Sequence, residues 1–155
     1  MVDITLEMIH NAGFIAAGNG SDGNTCADRM LLQSIKAYQC LYNKKGFNIP
    51  WVGYLAKLND RYVGVCGFKG APKSDSVEIA YFTFPGYERR GYAQKMARLL
   101  VEIAKEKAPE VMIRSRTLPQ LNASTSVLLK NGFQKIGMVN DPEDGNVWEW
   151  MLPVH

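Results

Sequence analysis

Between residues 51 and 84 the chain carries three strand-like runs in quick succession, and this stretch most constrains what it can fold into. Residues 51–58 and 61–68 are rich in β-branched and aromatic side chains and are joined by Asn59-Asp60, a pair suited to a tight turn, so they read as a hairpin. After Gly70 and Pro72, residues 77–84 read as a third strand, stopped by Pro85-Gly86. Three consecutive strands with short connections imply an antiparallel sheet. The period then changes. Ala93, Met96, Ala97, Leu100, Ile103 and Ala104 share one stripe of a helix over 93–107, ended by Pro109. Residues 111–116 read as a strand and 123–131 as a short helix stopped by Gly132. Two last strands flank Asp141-Pro142-Glu143-Asp144-Gly145.

The stretch before about residue 45 reads as two helices around the turn-forming cluster from Gly18 to Asn24. The second helix starts near Thr25 or Asp28 as N-cap, carries Met30, Leu31, Ile35, Tyr38 and Leu41 at helical spacing, and ends before Gly46. With no internal repeat and no linker, the parsimonious reading is one α/β domain over 1–155, of the α+β kind.

Composition removes several function classes. A chain of 155 residues that is 46% hydrophobic and 21% charged can bury a sizeable core without disulfides or metals. The formal charge is +3, but lysines and arginines are scattered rather than gathered into a stripe, which argues against a nucleic-acid partner. Cys26, Cys40 and Cys66 lack metal-ligand spacing, and His10 and His155 are the only histidines, so no metal is expected. Reduced thiols and a cytoplasmic setting follow. Neither a signal core nor an apolar run of membrane-spanning length is present, so a soluble protein with no membrane partner is expected.

The chemistry concentrates at Glu88-Arg89-Arg90-Gly91-Tyr92-Ala93, between the third strand and the long helix. A helix N-terminus presents unpaired N–H groups and a partial positive charge, so a glycine-bearing turn leading into it suits a pyrophosphate. Gly91 permits close approach or an unusual dihedral, Ala93 leaves the amides open, and the two arginines add charge. The same six residues also fit an ordinary strand-to-helix turn with two solvated arginines, and the residues alone leave both readings open.

That order of elements resembles motif A of the GNAT acetyltransferases, whose Q/R-x-x-G-x-G/A loop binds the pyrophosphate of CoA; Glu88 departs from the usual first residue. Val77-Glu78-Ile79-Ala80-Tyr81 is similar to the V-E-I-G-Y strand of the branch related to ribosomal-protein N-terminal acetyltransferases. Thr117-Leu118-Pro119, Asn122-Ala123-Ser124, Val127-Leu128 and Lys130-Asn131-Gly132-Phe133 resemble that branch's T-L-P-E-N-x-A-S-x-x-V-L-x-K-x-G-F segment. The resemblance covers roughly residues 50–152 and implies a splayed, mostly antiparallel mixed sheet flanked by helices.

It further implies acetyl-CoA as cosubstrate, lying between the strands that end near Phe84 and Arg116. Tyr81, Phe82 and Thr83 would pair with the pantetheine, Arg89, Arg90, Gly91, Tyr92, Ala93 and Gln94 would hold the pyrophosphate, and Asn122 lies near the family's CoA-contacting asparagine. The partner would be a small-molecule or peptide amine, acetylated directly without a covalent enzyme intermediate. Amine acetylation needs a proton acceptor and sometimes a donor to the departing thiolate. Glu78 is the candidate base, because partial burial in an apolar strand makes a carboxylate more basic; pairing with a neighbouring cation is the alternative. Ser124 aligns with the branch's thiolate donor, or is a first-turn serine of its helix. Leu128 stands where many of these enzymes have a tyrosine acid. Trp51, Tyr54, Trp148 and Trp150 line an acceptor pocket or, as strand aromatics more often do, pack in the core. A non-catalytic CoA-binding module is the rival reading. An exposed strand edge or the N-terminal segment could serve a homodimer.

Overall fold

The structure, a computed structural model, describes residues 3–11 and 26–153. One seven-stranded sheet is built from β1 (Thr5–Met8), β2 (Gly53–Leu58), β3 (Arg61–Phe68), β4 (Ser76–Thr83), β5 (Met112–Thr117), β6 (Gln134–Asp141) and β7 (Gly145–Leu152), in the order β1-β2-β3-β4-β5-β7-β6. Every neighbouring pair is antiparallel except β4 and β5, which run parallel. The parallel pair requires a long crossover, supplied by α2 (Tyr92–Lys107).

The helical reading of the first residues is corrected at Thr5–Met8, a four-residue strand paired antiparallel with Met8 opposite Tyr54 and Thr5 opposite Lys57. Neighbouring β2 offers an open edge there, and its hydrogen bonds outweigh a weak local preference. The turn-forming cluster at 18–24 and the N-cap candidate Thr25 lie outside the described residues. Helix α1 spans Cys26–Lys45 and buries Leu31, Ile35 and Tyr42.

Helix α1 seats against β2 and β3 because the sheet has no side chains there. Gly53 and Gly67 are opposite one another in register, and a Cβ on Gly53 would lie 2.4 Å from two atoms of the Tyr38 ring. A Cβ on Gly67 would lie 2.9 Å from the Tyr38 hydroxyl. The two glycines form a trough for one ring. Next to it, the Tyr42 hydroxyl donates to the Ile9 carbonyl at 2.8 Å and accepts from the Gly53 N–H at 2.8 Å, tying β1, β2 and α1 together.

Helix α2 presents Met96, Ala97, Leu100 and Ala104, all fully buried, to β3 and β4. Gly64 makes room for it, since a Cβ there would meet Met96 Cε at 2.8 Å. Helix α3 (Ala123–Lys130) lies beside α2 and buries its own Thr125 and Leu128.

Candidate active site

The parallel pair is where the sheet comes apart. Ser76, Val77, Glu78 and Ile79 pair with Met112, Ile113, Arg114 and Ser115, after which β4 runs on to Thr83 and β5 to Thr117 without further pairing to each other. Each strand stays paired on its outer side, β4 with β3 as far as Thr83 opposite Gly64 and β5 with β7 as far as Thr117 opposite Trp148. The buried Ser115 hydroxyl donates to the Ile79 carbonyl at 3.0 Å, closing the apex of the opening. Beyond the apex, the backbone edge of Tyr81, Phe82 and Thr83 faces a gap instead of a strand, an arrangement suited to an extended, amide-bearing ligand.

At the end of β4 the chain turns into α2. Gly91 is the N-cap residue, at φ 83° in the left-handed region, and no side chain caps the helix. Only glycine takes that conformation without a steric cost, and the first-turn N–H groups of Tyr92, Ala93 and Gln94 are left for a ligand. Arg89 also adopts positive φ, at 66°, a conformation that costs a non-glycine residue on the order of 1 kcal/mol. The Glu88 carboxylate turns back and accepts the Gly86 N–H at 2.8 Å. The acidic departure from the family pattern thus braces the loop from within. Arg89, Arg90 and Gln94 are exposed, while Tyr92 is buried beneath the turn.

On the sheet face that α1 covers, β4 and β5 project charge. Val77 and Ile79 are buried and Glu78, between them in sequence, points the other way. Its carboxylate lies 3.2 Å from Lys69 Nζ and lines a pocket of about 1270 Å³. The strand also places Arg114 opposite Glu78 and Arg116 two residues on. Arg116 is held by Glu149 and by Asp141, each at 3.1 Å, and Arg114 reaches Glu149 at 3.5 Å. The N–H groups of Glu143 and Asp144, then the Arg116 guanidinium, hold the Asp141 carboxyl below the usual carboxylate range. The acidic hairpin turn is therefore bound to β5.

Across the gap, Asn122 caps α3: its side chain accepts the Thr125 N–H at 3.2 Å while the Thr125 hydroxyl accepts the Asn122 N–H at 2.9 Å. The capping carbonyl of Asn122 is thereby occupied. Ser124 is exposed in the first turn of α3, and its carbonyl accepts the Tyr81 hydroxyl at 2.8 Å, a bridge from β4 to α3 over the splayed strands. Leu128, in the place where related enzymes put an acid, is fully buried and offers no proton.

Trp51, Tyr54 and Trp150 are core residues, and Trp150 Nε1 donates to Thr117 Oγ1 at 3.0 Å. Trp148 is half-buried under Lys135, whose Nζ sits 4.0 Å from the ring centroid. None of the four lines the pocket. Cys66 is buried on β3, where burial pushes its thiol far above the ordinary range and keeps it protonated. Among the described residues no group of three or more His, Cys, Asp or Glu is arranged to hold a metal ion, and no helix is long and apolar enough to cross a membrane.

Sequence reasoning missed the cations around Glu78. Lys44 and Lys45 at the end of α1, Lys69 and Lys73 after β3, and Arg114 all line the pocket, although they are far apart along the chain. Two local signals existed: Arg114 and Arg116 are two apart in a strand and so share a face, and Lys69 follows the hairpin strand that pairs with β4.

No curated protein is significantly similar in sequence. Among solved structures, the fold is similar to RimL, the ribosomal L7/L12 alpha-N-protein acetyltransferase: its apo form has a TM-score of 0.67 at 13% identity over 97% of this chain and 93% of that one. RimL in complex with coenzyme A has a TM-score of 0.63 at 14% identity over 82% and 73% of the two chains. The aminoglycoside acetyltransferase AAC(6')-Ib in complex with coenzyme A has a TM-score of 0.55 at 23% identity over 64% of each chain. The acetyltransferase (GNAT) domain family matches residues 22–134. With a sheet that parts between β4 and β5 and a helix N-terminus opened by Gly91, this chain belongs to the GNAT acetyltransferase family and is an acyltransferase.

Proposed function

We propose that this chain is a single-domain N-acetyltransferase that moves the acetyl group from acetyl-CoA to a primary amine directly, in a ternary complex. The observation that carries this reading is the joint placement of the β4–β5 gap and of Glu78. The gap opens directly after Ile79 and Ser115, while Glu78, one residue before Ile79, faces the pocket on the α1 side. An acceptor in that pocket approaches the apex of the gap from the side opposite the covered α2 face.

In this reading Tyr81, Phe82 and Thr83 align the pantetheine along β4, and Arg89, Arg90, Gly91, Tyr92, Ala93 and Gln94 receive the pyrophosphate. Asn122 supplies a further polar contact from the start of α3. Glu78 takes the proton from the incoming ammonium, directly or through a water, with Lys69 3.2 Å away to hold the carboxylate in place. The amine nitrogen then bonds to the acetyl carbon, the carbon–sulfur bond breaks with the sulfur leaving as a thiolate, and the second nitrogen proton, lost as the amide forms, passes to solvent or by way of a donor to that thiolate. Ser124 is the group nearest in role to a donor for that thiolate, since Leu128 is apolar and buried.

The test is steady-state kinetics with acetyl-CoA and a panel of primary amines, following thiol release and the mass of the acetylated product. Intersecting double-reciprocal lines are expected. Parallel lines, or an acetylated enzyme detected by mass, would contradict direct transfer. No product from any amine, with acetyl-CoA bound, would favour a binding module.

A further inference from the structure

The pocket in front of Glu78 has a charge balance that a cationic acceptor does not explain. Six cationic side chains line it against three carboxylates. Two of the carboxylates already have partners within the wall, Glu78 with Lys69 at 3.2 Å and Asp141 with Arg116 at 3.1 Å. On the cationic side, Lys44 and Lys73 have no carboxylate partner among the described residues, and Lys45 Nζ donates only to the Lys69 carbonyl, at 3.0 Å. Arg114 already reaches Glu149 at 3.5 Å, and its Nε is buried from water without a hydrogen-bond partner, so Lys44, Lys45 and Lys73 are the lining cations that no carboxylate of the wall pairs. These groups come from α1, from the β3–β4 connection and from β5, so the fold, not a local run of basic residues, gathers them.

Resting on the acetyltransferase reading above, we infer that the acceptor is a primary amine that carries carboxylates of its own, held by Lys44, Lys45 and Lys73 while its amino group faces Glu78. The free positive charge matches an anion and repels a polyamine or other polycation, whose additional ammonium groups would find only Glu143 unpaired among the lining carboxylates. The pocket, at about 1270 Å³, exceeds the roughly 300–1,000 Å³ of small-molecule sites and has space for several residues of an acidic peptide. Two sources share this chemistry, a free amino dicarboxylate and an acidic peptide end.

The test is calorimetric titration of the full chain at saturating CoA with three product-like probes: N-acetylglutamate, an N-acetylated tripeptide with two acidic residues, and one with two lysines. At least one acidic probe is expected to bind, about 10-fold more tightly than the basic one, and to weaken as salt is raised. The acidic tripeptide outdoing N-acetylglutamate would identify a peptide acceptor, and the reverse a small one. K44E/K73E is expected to lose about 10-fold for the acidic probe and K44R/K73R to keep it, with melting curves reporting that each variant is folded. Equal or tighter binding of the basic probe, no binding of either acidic probe, or an unchanged affinity in K44E/K73E would overturn the inference. Binding of CoA itself is titrated first; its absence would refute the acetyltransferase reading, whereas the preference among probes decides the acceptor class alone.

Discussion

Replacing Gly53 with alanine tests whether the sheet is built around Tyr38. The added Cβ would sit 2.4, 2.4 and 2.8 Å from three ring atoms, against roughly 3.5–4.0 Å for ordinary carbon contacts, so the ring must move by about 1 Å or more. Sliding is opposed by the Tyr42 hydroxyl, which ties the same stretch of α1 to Gly53 and Ile9. Overpacking of this kind costs about 1–3 kcal/mol, reduced by about 0.5 kcal/mol because alanine restricts the unfolded chain. The net loss of about 1–2 kcal/mol lowers the melting temperature by about 5 °C in a chain of this size. Tyr38→Ala alone creates a cavity and costs about 3 kcal/mol, but in that background Gly53→Ala becomes neutral or slightly stabilising. Urea unfolding of the wild type, both single variants and the double variant yields a coupling of about 2 kcal/mol. Additive losses would refute the trough, since they would mean that alanine at 53 does not meet the ring.

Glu78→Gln is expected to lower kcat about 10²-fold or more near neutral pH, with the loss shrinking as pH rises and the acceptor deprotonates unaided; a change under 3-fold would leave Glu78 as a partner of Lys69 only. Asn122→Ala removes the α3 cap and should cost about 1 kcal/mol of stability, read by urea unfolding, whereas Asn122→Ser should restore most of it. The N–H groups of Glu143 and Asp144, and after them Arg116, hold the Asp141 carboxyl below its ordinary range, so the stability these contacts lend is fully present above the unfolded-state value and lost as pH falls through the folded-state value. Acid titration of wild type and Asp141→Asn should therefore converge in stability below the ordinary carboxylate range and diverge above it, and parallel curves would contradict that contribution.

Much of this fold is legible in the sequence because its signals are local. The Asn59-Asp60 turn sets the β2–β3 hairpin, the apolar stripe of α2 sets its buried face, and Gly91 marks the helix start. Thr5–Met8 is not legible, since four residues carry too little periodicity and their strand depends on the open edge of β2. Two departures from the family pattern acquire a physical sense only in three dimensions. Glu88 folds back on the Gly86 N–H, and Leu128 is a core residue on the buried face of α3. The pocket cations looked scattered because α1, the β3–β4 connection and β5 meet only after the sheet has formed. Glu78 stood out as a carboxylate in an apolar strand, but its partner Lys69 lies on the connection leaving β3 and could be placed only through strand register.

The central claim is that the β4–β5 gap and the turn at Gly91 receive acetyl-CoA. Thermal melting of the wild-type chain with acetyl-CoA, CoA and ATP tests it most directly, because a ligand that binds only the folded state raises its melting temperature. A rise with acetyl-CoA and CoA but not with ATP is the predicted result. Saturating acetyl-CoA with no rise, or an equal rise with ATP, would contradict the account.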